Sequence, residues 1–158
     1  MNWLQIAENR LALFGHRNWI VIADAAYPAQ SAAGIEIVAA DTDLLNVLSL
    51  VLARVDAAPH VIAAAYMDRE LALVPEVDAP GVTSCAAAIS QQLGGHGIRE
   101  LPHEEIIAKL DEAARMFRVL IIKTQSTIPY TSVFLELGCG YWAPQAEARL
   151  RARMAQMV

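Results

Sequence analysis

Strand-sized apolar runs alternate with helix-sized stretches along this chain, and that alternation restricts the possible folds more than any other feature. Asn18–Ala23 (NWIVIA), His60–Tyr66 (HVIAAAY), Arg118–Lys123 (RVLIIK) and Ser132–Leu137 (SVFLEL) read as buried strands, with shorter candidates at Ile35–Val38 and Ile98–Leu101. Helices are predicted at Trp3–Phe14, with Gly15 as a left-handed stop, and at Asp41–Arg54, capped by Asp41 or Thr42. A third covers Val82–Leu93 and stops at Gly94 and Gly95. A fourth opens at Pro102, with Glu104 and Glu105 at its positive end and Ile106, Leu110, Ala114 and Phe117 as its apolar stripe. A last helix is expected within Pro144–Met157. Leu and Val occupy most of the circumference of Asp41–Arg54, which predicts burial on more than one side. Asp68–Pro80, acidic and proline-punctuated, reads as surface loop. The expected fold is α/β: a single three-layer α/β/α domain with helices on both faces of a central sheet.

The 158 residues are 56% hydrophobic and 18% charged, enough apolar material for a sizeable core. Mean hydropathy is +0.34, yet no apolar run approaches the roughly 20 residues of a membrane span. Met1–Arg10 includes Glu8 and lacks the pattern of a secretory signal. The excess apolar surface instead predicts burial between subunits, hence a homo-oligomer. A net charge of -5 with no basic run argues against nucleic acid or an anionic membrane as partner. Cys85 and Cys139 are far apart and form neither a zinc motif nor a disulfide framework, so no metal is expected and a cytoplasmic setting fits best.

Asp24 ends the first strand run, at the edge where open α/β sheets hold ligands. His16 precedes the same run and has the near-neutral ordinary pKa that proton transfer requires. The two would lie at opposite ends of one strand, too far apart to meet unless the chain turns back or neighbouring subunits share a site. Taken alone, His16 also suits a cap on the preceding helix. Likewise His103 suits a solvated first-turn residue, and Tyr130 a packing aromatic with its hydroxyl in water. His60 and His96 have no evident partner.

Gly15-His16, the strand Trp19–Ala23, Asp24-Ala25 and Pro28 together resemble the opening motif of the D-ribose pyranase and L-fucose mutarotase family. Tyr27-Pro28-Ala29-Gln30-Ser31 is similar to the fucose branch, which has an aromatic-Pro-Ala-His-Ser run there, as is the proline-led strand Ala58–Ala65. Ile122-Lys123 through Pro129-Tyr130 and the apolar strand to Gly138 resembles the closing motif. The resemblance covers roughly residues 8 to 138.

It implies a cofactor-free enzyme of the isomerase type that interconverts anomers or ring forms of a fucose- or ribose-like monosaccharide. His16 matches the proton donor, Asp24 a sugar-binding carboxylate and Tyr130 the tyrosine of a closing Tyr-x-Asn signature, whose Asn is replaced here by Ser132. Ile98-Arg99 with His103-Glu104 is similar to the pyranase branch's substrate-binding histidine region. Family sites lie in clefts between subunits of a ring, often a decamer of two pentamers, so a pentamer or decamer is implied. The family domain is expected at residues 1–140 and a C-terminal helical extension at 141–158. Two alternatives remain: a non-catalytic monosaccharide-binding or regulatory protein on the same fold, and a structural oligomer with a degenerate site.

Overall fold

The computed structural model of the protein describes residues 1–157. Six strands, β1 (Trp19–Ala23), β2 (Ile35–Ala39), β3 (Val61–Asp68), β4 (Ile98–Leu101), β5 (Val119–Lys123) and β6 (Val133–Cys139), form one sheet in the order β2-β5-β1-β6-β3-β4. β2, β5 and β1 are mutually parallel, as are β3 and β4, whereas β6 runs antiparallel to both its neighbours, β1 and β3. The five helices are α1 (Trp3–Leu13), α2 (Leu44–Ala57), α3 (Val82–Gln92), α4 (His103–Ala114) and α5 (Pro144–Ala155).

The period-2 geometry of β1 divides its buried side chains between two cores. Ile20 and Ile22 join residues of α1, α2 and α3 on one face, while Trp19, Val21 and Ala23 join Ile106, Leu110 and Ala114 of α4 on the other. This is the expected three-layer α/β/α domain. Glycine is required where the start of β2 crosses the end of α4: a Cβ on Gly34 would lie 2.1 Å from the Ala114 carbonyl oxygen and 3.0 Å from that of Phe117.

Several local expectations are corrected. α1 ends with Phe14 extended as its C-cap, and the positive φ falls on Arg17 rather than Gly15. Asp43, not Asp41 or Thr42, caps α2 by accepting from the Asn46 N–H. The buried residues of α2 (Leu44, Val47, Leu48, Val51, Leu52 and Val55) form one stripe, narrower than its composition implies. α4 stops at Ala114, before Phe117. The segment read as surface loop begins with the buried Asp68 and continues into a short 3-10 helix, Arg69–Leu73, whose Leu71 joins the core. α5 forms as expected but buries no residue; Val158, the last position of the expected extension, lies outside the described residues.

Gly34→Ala should lower stability by about 1–3 kcal/mol through overpacking against rigid backbone. Gly95→Ala, where a Cβ meets nothing within 4 Å, should stay within about 0.5 kcal/mol of the parent. Urea unfolding of the two variants checks the contrast.

Candidate active site

Because β6 is reversed, its beginning lies at the edge of the sheet where β1, β3, β4 and β5 end. Asp24 follows β1 and Ser132 precedes β6. Ser132 is 1% exposed; its hydroxyl donates to Asp24 Oδ1 at 2.6 Å and accepts from the Asp24 N–H at 3.1 Å. Both capacities of the serine are thus directed at one residue, and they fix the direction of the carboxylate. The loop after β5 adds support: buried Thr124 donates to the Ala23 carbonyl at 2.8 Å, and the Ala25 N–H donates to the Ser126 carbonyl at 2.8 Å.

A second carboxylate stands at the end of β3. Asp68 is 2% exposed, and its Oδ1 lies 2.9 Å from Nδ1 of His103, the first residue of α4. The His103 N–H, one of the donors a helix start leaves without an internal partner, is met by Glu70 from the 3-10 helix, at 3.0 and 3.1 Å to its two oxygens. The backbone and ring of His103 are therefore held by two different acids. Burial pushes the Asp68 carboxyl up to about 6; the hydrogen bond and charge of His103 oppose this, while Glu70 and Asp24 add to it.

Tyr130 and Tyr27 complete the cluster. Tyr130 is 40% exposed and stands edge-on to His103, with ring centroids 6.0 Å apart. Its φ of 60° is one of two positive values outside glycine among the described residues, and such strain gathers at functional sites. Tyr27, buried against Phe134, donates to Gln30 at 3.3 Å. Burial, followed by the charges of Asp111, Asp68 and Asp24, raises its hydroxyl far above the ordinary tyrosine range, so it keeps its proton.

Of the residues singled out in the sequence, Asp24, His103, Tyr130 and Ser132 come together at this edge. His103 is a held residue with a 29% exposed side chain, not a freely solvated one. His16 stays apart. β1, five residues long, separates it from Asp24, a distance of roughly 17 Å at about 3.3 Å per residue. His16 lines a cavity of about 470 Å³ with Arg17, His96, Arg99 and Glu136. Asp68, Glu70 and Tyr27 are absent from the sequence-derived site. The signal for Asp68 was present, since it closes an apolar strand as Asp24 does. Among the described residues, no three His, Cys, Asp or Glu side chains converge as metal ligands would.

Residues 7–140 match the sequence profile of the RbsD / FucU transport protein family. The chain belongs to that family. Its fold is shared with the RbsD of Bacillus subtilis, solved with D-ribose, at 20% identity and a TM-score of 0.60, covering 82% of this chain and 88% of that one. The fucose mutarotase of Streptococcus pneumoniae, solved with L-fucose, gives 22%, 0.56, 82% and 89% in the same order. For FucU of Bifidobacterium longum the values are 21%, 0.55, 83% and 90%. No curated protein sequence matches the chain.

The Asp68 carboxyl offers a measurable consequence. The folded state binds its proton more tightly than the unfolded chain, whose carboxyl stays near the ordinary 3.8. Its favourable contribution is therefore complete below about pH 4 and is lost as pH rises through about 6. Asp68→Asn, neutral throughout, should be more stable than the parent by about 1–3 kcal/mol at pH 7.5. Urea unfolding should show the difference closing towards pH 4; an unchanged difference would exclude ionisation as its cause.

Proposed function

We propose that the protein is a cofactor-free monosaccharide mutarotase or pyranase acting on a fucose- or ribose-like sugar. The observation that supports this reading is the pair of hydrogen-bonded carboxylates at one sheet edge, Asp24 with Ser132 and Asp68 with His103, beside two tyrosines. A free sugar presents many hydroxyl donors and little charge, and fixed carboxylates are strong acceptors for such donors. Ring opening needs a proton delivered to the ring oxygen as the anomeric hydroxyl loses one. The bond from the anomeric carbon to the ring oxygen then breaks to leave a carbonyl, and reclosure on the other face, or by another hydroxyl, returns both protons. Positioning and acid–base help suffice for these steps.

In this reading Asp24 accepts sugar hydroxyls, Ser132 aims Asp24, Tyr130 forms a wall and His103 contacts the sugar. His16 exchanges the proton. In this reading it serves the site of a neighbouring copy in a ring, head to tail, which its distance from Asp24 within one chain supports. A second reading rests on the Asp68–His103 pair, which could move the proton without any neighbour.

Saturation-transfer NMR on free D-ribose and L-fucose should detect accelerated exchange. His16→Ala should slow it by about 10²- to 10⁴-fold with affinity modestly reduced. Asp24→Ala should instead weaken binding by roughly 1.5–3 kcal/mol, and Ser132→Ala should follow it in the same direction. Co-refolding equal amounts of the His16→Ala and Asp24→Ala proteins should restore about a quarter of the parental sites if subunits share them. No recovery, together with loss of exchange in His103→Ala, would move proton transfer to His103. Tight sugar binding without exchange in the parent would leave a binding or regulatory protein.

A further inference from the structure

α5 lies beyond the family match, which ends at residue 140, and none of its residues is buried. Helices this short are marginal in water unless one face is covered. Its pattern is that of a helix with a missing partner. Ala146, Leu150 and Met154 recur every fourth residue along one ridge, with Leu150 41% and Met154 50% exposed. The adjacent row carries Arg149 and Arg153, neither of which has a carboxylate within 4.0 Å among the described residues. On the other flank, Glu147 is already occupied by Arg151 at 2.6 Å and by the Trp142 indole N–H at 2.6 Å. What remains, among the described residues, is an exposed apolar ridge edged with positive charge.

Charge favours the body of another copy as what would receive it. In residues 141–158 Arg149, Arg151 and Arg153 outweigh Glu147, a net of +2, so the chain's -5 leaves -7 on residues 1–140. The direction of the helix's departure is set as well. β6 ends beside the start of β3, Cys139 opposite Val61. There the Gly140 N–H donates to the His60 carbonyl at 3.1 Å, and a Cβ on Gly140 would lie 2.7 Å from the Pro59 carbonyl oxygen. This is the His16 end of the sheet. The Asp24 edge of the same chain is at the far end, while that of a second copy placed head to tail is adjacent.

We infer that α5 is a C-terminal arm that clasps a second copy of this chain, seating the Leu150–Met154 ridge and the Arg149–Arg153 row on the acidic surface of that copy. The choice of the Asp24 end as the receiving surface rests on the head-to-tail arrangement proposed above; the arm's dependence on a second copy does not.

The test compares the full chain, a chain ending at Gly140 and the double variant R149E/R153E by light scattering across a concentration series. The full chain should assemble, and both altered proteins should require at least tenfold higher concentration to reach the same mass. Sodium chloride at 1 M should move the full chain towards R149E/R153E. Superimposable mass profiles for the three proteins, or a monomeric full chain at every concentration, would overturn the inference. So would unchanged assembly combined with arm-dependent sedimentation on phosphatidylserine vesicles, which would make an anionic membrane the partner. Circular dichroism on each variant excludes loss of fold as the cause. Because mass is read without sugar, failure of the catalytic reading leaves this result intact, and the reverse also holds.

Discussion

The antiparallel strand β6 is the constraint on which the remainder of the structure depends. It joins the parallel group β2-β5-β1 to the parallel pair β3-β4, and its interior residues Phe134 and Leu135 are fully buried on opposite faces. A parallel strand in its place would deliver its carboxyl end to the site and its beginning to the far edge. Reversal does the opposite. It puts Ser132 against Asp24 and Tyr130 beside His103, and it releases the chain towards α5 at the end where His16 stands.

Burial is what sets the electrostatics of these neighbours. A surface pair of His103 and Asp68 would be screened by water and hold no particular geometry. With Asp68 almost wholly enclosed, desolvation rather than charge dominates the shift of its carboxyl. Glu70 contributes in a different manner, fastening the first turn of α4 so that the imidazole starts from a fixed backbone. Asp24 needs less burial because Ser132 supplies both its donor and its backbone anchor. The two acids are thus made rigid by different means, one by enclosure and one by a dedicated partner.

The layered fold was legible in the sequence because apolar period is a local property: β1, β5 and α4 were recognisable from runs a few residues long. Asp24 was legible too, since it interrupts such a run at a definite position. The order of strands was not, and with it went the partnership of Ser132, which lies 108 residues from Asp24. Asp68 escaped attention because acidic, proline-containing surroundings resemble solvent-exposed loop, whereas it is the last residue of β3, paired with Leu101 of β4 and bonded to His103 of α4. Arg17 taking the left-handed turn in place of Gly15 is a case of tertiary geometry overriding local preference. Capping at Asp43 rather than Asp41 shows how a cluster of equivalent acids leaves a helix start undetermined until the backbone direction is known.

The left-handed backbone of Tyr130 has a consequence for how such a protein can be improved. A tyrosine in that conformation carries a cost of about 1–2 kcal/mol that glycine would not. Selection on heat resistance alone would therefore accumulate glycine at this position and register a gain. The same step would remove the ring that stands against His103. A library screened for robustness alone would converge on sturdier proteins that lack this contact, and the loss would be invisible in every melting curve.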